Sequence, residues 1–170
     1  QSLYSDHYLH TQAVDGPIGF KLESAPLHPL LFATTLNGFG ATHHALMQRF
    51  THAQVLLALM RDGFSDQSPG GQVRLRDDGT PLLDYPLNDH LWDGVRRALL
   101  AMARIQFEAG AADVTVVHEQ ATLWKTWAQA EAGIRALDLQ PLRTRVVSAH
   151  VMGGCAMGSD PRRSVTDPRG

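Results

Sequence analysis

The chain has 170 residues, 44% of them hydrophobic and 19% charged, with a formal net charge of −2. This is ordinary globular composition, long enough for one domain with a real core or for one large piece of a bigger protein. Acids and bases are interspersed, which argues against nucleic acid as a partner; the single Cys excludes an intramolecular disulfide framework, and no run of about 18 apolar residues offers a transmembrane segment.

The first residues, QSLYSDHYLH, carry no initiator Met and no signal-peptide pattern. Residues 1–40 hold Pro17, Pro26, Pro29 and several Gly, and read as short strands and loops, with GPIGFKLES the best strand candidate. Gly40 to Phe50, GATHHALMQRF, is expected to form a short helix. Ala53 to Asp62, AQVLLALMRD, is a nearly continuous apolar run whose length leaves strand or helix open; a buried strand is the favoured reading. Gly63 to Gly71 is a loop by composition. In QVRLRDDGTPLLDY, Val73 and Leu75 alternate with Arg74 and Arg76, which predicts a half-buried strand; Asp78-Gly79 then turns the chain into a returning strand.

The clearest helix is NDHLWDGVRRALLAMARIQFEAG. Asn88 or Asp89 supplies a cap, because their side-chain oxygens accept the unpaired N–H groups of a first turn. Leu91, Trp92, Val95, Leu99, Met102 and Ile105 or Gln106 follow at helical spacing, and Gly110 suits the left-handed terminal position. ADVTVVHE is expected as a strand, TLWKTWAQAEAGIRALDL as a second helix despite Gly133, and LRTRVVSAH as a strand that ends on His150. Strands mixed with at least two helices, without regular βαβ alternation, predict an α+β fold with a mostly antiparallel sheet packed against helices. The last residues, SVTDPRG, read as a turn leading onward, so both ends are expected to be cut ends of a longer protein.

Chemistry concentrates in Ser148 to Pro161, SAHVMGGCAMGSDP. His150 at a strand end beside Gly153-Gly154 is well placed for a general base, since its pKa lies near working pH. Spacing alone favours the plainer reading, a His satisfied by hydrogen bonds next to an ordinary loop. The adjacent glycines, with Gly158, permit close approach of the backbone to a flat group. They match neither the phosphate-loop nor the dinucleotide spacing. Cys155 with His150 suggests a nucleophile pair, but Met152 and Met157 flank it, and a buried inert Cys is the expectation. The nine histidines show no metal-ligand spacing and read as scattered surface residues; Trp92, Trp124 and Trp127 read as core.

The run SAHVMGGCAMGSDPRRSVTDPRG resembles the C-terminal signature of the glucose-methanol-choline family of FAD-dependent oxidoreductases. The resemblance rests on His150, Gly153, Gly154, Cys155, Met157, Gly158, Asp160, Pro161, Ser164, Val165, Asp167 and Gly170, a pattern of 21 positions with its spacing intact. GQVRLRDDGTPLLDYPLND and ARIQFEAGAADV resemble the strand-turn-strand and long helix that precede the signature in the family. Together these cover about Gly70 to Gly170, while residues 1–69 match loosely.

The resemblance implies an FAD-dependent alcohol dehydrogenase or oxidase, in which the His takes the hydroxyl proton while hydride leaves the carbinol carbon for flavin N5. It makes His150 the catalytic residue and Gly153, Gly154 and Gly158 the positions beside the cofactor, with Cys155 and Met157 packed behind the turn. The family's dinucleotide fingerprint is absent from this sequence. Residues 1–170 are therefore expected to be a single domain, a fragment of the substrate-binding domain. Its partners would be a small-molecule alcohol and the FAD-binding domain of the same protein. FAD is not expected to be held tightly by this chain alone. The apolar stretch HPLLFATTLNGFG suggests a lid or channel lining for long-chain or aromatic alcohols, or plain core. The Gly-Gly turn is closer to bacterial members, which suggests a bacterial cytoplasmic or periplasmic location. Two other classes remain open: a Cys–His hydrolase, which predicts a reactive thiol, and a non-catalytic ligand-binding domain, which predicts a colourless protein.

Overall fold

The computed structural model of the protein describes residues 4–5, 13, 15–148 and 154–170. The fold is α+β. Strands β1 (Tyr4–Ser5), β2 (Phe20–Ala25) and β3 (Val55–Met60) form an antiparallel sheet in that order. Pairing runs from Phe20 opposite Met60 to Ala25 opposite Val55. Side chains alternate across a strand, so Phe20 and Leu22 share a face with their partners Met60 and Ala58, and that face meets the core. Lys21 and Glu23 share the other face and form an ion pair at 2.7 Å. The apolar run of β3 is a strand, as its length suggested, but it is only half buried, because the face carrying Leu57 and Leu59 lies opposite Lys21 and Glu23.

Between β2 and β3 come two short helices, α1 (Pro29–Thr35) and α2 (Gly40–Met47), and a 3-10 turn at Phe50–His52. Pro29 opens α1, where its missing N–H costs nothing, and Nδ1 of His28 accepts the Leu30 N–H at 3.3 Å. Neither helix has a buried residue.

The hairpin of β4 (Gln72–Leu75) and β5 (Pro81–Asp84) turns at Gly79, whose φ is +79°. Asp78 locks the turn by accepting from the backbone N and hydroxyl of Thr80 at 2.9 and 2.6 Å. The first strand was expected to be half buried; all eight residues of the pair are exposed instead.

Helix α3 (Asp89–Glu108) is the axis of the molecule. Asn88 caps it by accepting from Leu91 N at 3.0 Å, and Gly110, with φ +89°, ends it. One side, with Ala98, packs on Phe20 and Leu22 of the sheet. The other, with Leu91, Val95 and Ala103, meets Trp124 and helix α4 (Trp127–Ala136) through Ala130 and Ile134. Thr126 caps α4 through Gln129 N at 3.3 Å. At its far end Arg96 of α3 donates to the carbonyls of Ile134, Arg135 and Leu137 at 2.6, 3.0 and 3.0 Å. That places positive charge where a helix C-terminus is most negative, on carbonyls of its last turn and cap.

Two expected strands are not strands. In residues 112–119 only single bridges form, Val114 with Trp124 and His118 with Thr144. The alternating valines turn inward individually, Val114 and Val116 against the α3–α4 core, and no neighbouring strand runs alongside. Residues 145–148 likewise follow the Thr144 bridge without regular structure.

Candidate active site

His150 and Gly153 lie outside the described residues, as do residues 149, 151 and 152. What is described is the chain on either side. Before the gap, Thr144 is buried and bridged to His118, and Arg145 N reaches Val117 O at 3.5 Å. Leu142 has a φ of 70°, an unusual left-handed setting for a branched side chain, and its side chain is fully exposed. A shallow depression is lined by Asn37, Val117, Leu142, Thr144 and Val146.

After the gap, Gly154 and Cys155 form a turn, and residues 156–170 fold back on themselves. Ala156 O accepts from Val165 N at 2.8 Å, and Gly158 N donates to Thr166 O at 3.0 Å. The two Asp-Pro-Arg runs build the same kind of turn. Asp160 Oδ1 accepts from Arg162 N at 3.0 Å and Asp167 Oδ1 from Arg169 N at 2.8 Å. In each, the Asp side chain accepts two residues on while Pro presets the intervening φ. Hydrogen bonds from the Arg169 side chain, then from its backbone, hold the Asp167 carboxyl below its usual range. Much of the signature thus serves to close one compact loop.

The glycines divide by what surrounds them. A Cβ on Gly154 would meet nothing within 4 Å, whereas one on Gly158 would lie 2.8 Å from Ser164 Oγ. A side chain at 158 would press on Ser164 within the loop. Gly154 leaves open space for a group resting on the turn. Cys155 and Met157, expected to pack behind the turn, are exposed; the loop folds away from the core and has no interior to receive them. Gly154, Cys155 and Met157 thus form a bare outer surface on the loop.

Sequence reasoning passed over two residues. His118, counted among surface histidines, is 1% exposed. Its Nε2 donates to Asp138 O at 3.0 Å and its Nδ1 accepts from Gln120 N at 3.1 Å, so both ring nitrogens are engaged. Asp113 ties the α2 side of the molecule to the loop before α4. Its carboxylate takes Arg49 at 2.7 Å and Lys125 at 2.7 Å. Burial pushes the Asp113 pKa up, and the hydrogen bonds from Arg49 and Lys125 outweigh it, so the carboxyl is held below its usual range. Neither signal was readable locally, because each depends on a distant partner, Asp138 20 residues from His118 and Arg49 64 residues from Asp113. Among the described residues no group of His, Cys, Asp or Glu is placed to hold a metal, and no helix is long and apolar enough to cross a membrane.

Comparison with known proteins adds to this geometry. The profile of a family described as GMC oxidoreductase matches residues 66–170, which takes in the hairpin, both long helices and the whole run from His150 to Gly170. A long-chain-alcohol oxidase of Arabidopsis thaliana is 25% identical over 157 residues, covering 88% of this chain and 20% of that protein. The chain thus spans about a fifth of the length of that relative. No solved structure matches it.

Proposed function

The chain belongs to the GMC oxidoreductase family, and from that premise we propose that it forms the substrate side of an FAD-dependent alcohol oxidoreductase within a longer polypeptide. The family match over residues 66–170 carries the reading, because it encloses the His150-to-Gly170 pattern. His150 takes the proton of the substrate hydroxyl. FAD, bound by another part of the polypeptide, supplies the acceptor for the hydride that leaves the carbinol carbon. Gly153, Gly154 and Gly158 are the residues of this chain assigned to the cofactor, and the open side of Gly154 supports its part in that assignment.

The substrate class is a long-chain alcohol. The relative's activity suggests it, and so do Leu30, Leu31 and Phe39, which stand exposed around α1 and α2. The segment expected as lid or core has no buried residue in α1, which favours the lid. An apolar lid excludes water from the reacting carbon and gains affinity with each methylene it covers, about 0.8 kcal/mol apiece.

Anaerobic mixing of the full-length polypeptide with short-chain, long-chain and aromatic alcohols tests this. Flavin bands should bleach, fastest with long-chain alcohols. A polypeptide that stays colourless after reconstitution, or a flavin that no alcohol bleaches, would remove the reading.

A further inference from the structure

Among the described residues the buried polar ones are His118 and Thr144, and a single antiparallel bridge pairs them. No strand continues the bridge on either side. The flanking hydrogen bonds are long, Glu119 N to Arg143 O at 3.3 Å and Arg145 N to Val117 O at 3.5 Å. Register is strongly specified in a paired ladder with a buried face, and one bridge specifies it weakly.

The His118 imidazole makes up the difference. Its Nε2 donates to Asp138 O at 3.0 Å, which joins residue 118 to the segment leaving α4. From there the chain turns back: Thr144 N donates to Gln140 O at 3.1 Å, which returns residue 144 to the bridge. Residues 118, 138–140 and 144 thus close a triangle. Nδ1 accepts from Gln120 N at 3.1 Å and fixes the ring within its own segment. On the outside Arg143 spans the same segments, reaching Glu119 at 2.7 Å and Asp138 at 2.6 Å. Those ion pairs are solvated and contribute little, so the buried side chain carries the triangle.

The Arg145 N bond is the last hydrogen bond among the described residues before His150. His150 follows Thr144 by six residues, a tether that spans about 20 Å at most. A one-residue slip at Thr144 would shift the chain by about 3.3 Å. Misplacing a reacting group by about 1 Å costs on the order of 100-fold in rate.

We propose that His118 is a positioning residue for the reaction: it holds Thr144 in register and thereby sets where the chain presents His150. The inference rests on the reading that His150 takes the alcohol proton. His118 is buried with both ring nitrogens engaged, so it acts through the backbone and not on the substrate.

The test is single-turnover flavin reduction in the full-length polypeptide, over a range of concentrations of the alcohol that bleaches wild type fastest. His118→Leu removes both ring bonds. His118→Asn keeps only an acceptor for Gln120 N, and His118→Gln keeps a donor long enough to reach Asp138 O. Rates are taken per bound flavin, below each variant's denaturation midpoint. His118→Leu and His118→Asn should reduce the flavin at least ~10-fold more slowly at saturating alcohol with half-saturation unchanged, and His118→Gln should stay within about 3-fold of wild type. In a His150→Ala background His118→Leu should slow reduction no further, because residues that act as a unit are not additive. A purely structural role would lower the midpoint and leave the rate per flavin unchanged. That result, a His118→Gln as slow as His118→Leu, or additive losses in the double variant overturns the inference. Where His118→Leu does not fold, His118→Gln against His118→Asn decides it. A His150→Ala variant that bleaches at the wild-type rate removes the proton-transfer reading and this inference with it, whereas a wild-type rate in His118→Leu alone removes only this inference.

Discussion

A Cβ on Gly133 would sit 2.5 Å from Nε1 of Trp124. Glycine in a helix interior costs up to about 1 kcal/mol relative to Ala, so propensity alone says Gly133→Ala stabilises. The indole decides the sign the other way. Trp124 is buried in the α3–α4 core, and pushing it aside costs about 1–3 kcal/mol. Gly133→Ala should therefore lower the denaturation midpoint, and an unchanged or raised midpoint would show that the indole yields freely. Gly94 has the same logic, with a Cβ 2.7 Å from Met60 Cε and 3.0 Å from Ile18 Cβ. These contacts were not legible in the sequence, where Gly133 counted only as a blemish in a helical pattern. Cys155 shows the converse error. Its Met neighbours read as a core signal, yet the loop that carries them folds only on itself, so they face outward.

Among the elements, the junction at Asp113 ties stability to pH. Its carboxyl is held below the ordinary value of 3.8 by Arg49 and Lys125 against the effect of burial. A depressed carboxylate pKa contributes stability that is present above the unfolded-state pKa and is lost as pH falls through the folded one. Asp113→Asn should lower the melting temperature at neutral pH and flatten its fall between roughly pH 5 and pH 2. A variant with the wild-type slope would show that other carboxylates govern acid unfolding. Legibility at this scale followed how local the signal was. Asn88, the apolar spacing of α3 and Gly110 lie within one element, and all three act as read. Asp78-Gly79 likewise marks the hairpin turn. Residues 112–119 failed because valine alternation is a strand signal only when a strand pairs alongside; here each valine fills a gap in the helical core. The hairpin's alternation predicted a half-buried strand, but no described part of this chain covers it.

At the scale of the whole molecule, the α+β architecture was legible because strands and helices alternate irregularly along the chain, and the family was legible from 21 consecutive positions. What the chain does alone follows from its bareness. Nothing described encloses a cofactor, and the turn that would touch one is open on its outer side. Residues 1–170 expressed alone should fold yet elute from a desalting column without flavin absorbance after incubation with FAD. Retained stoichiometric flavin would mean that the chain holds the cofactor unaided. The central claim is that His150 takes the alcohol proton, and single-turnover flavin reduction in the full-length polypeptide tests it most directly. With a long-chain alcohol, His150→Ala should reduce the flavin at least ~100-fold more slowly than wild type while binding FAD equally well. A variant that bleaches at the wild-type rate would take His150 out of the chemistry and contradict the account.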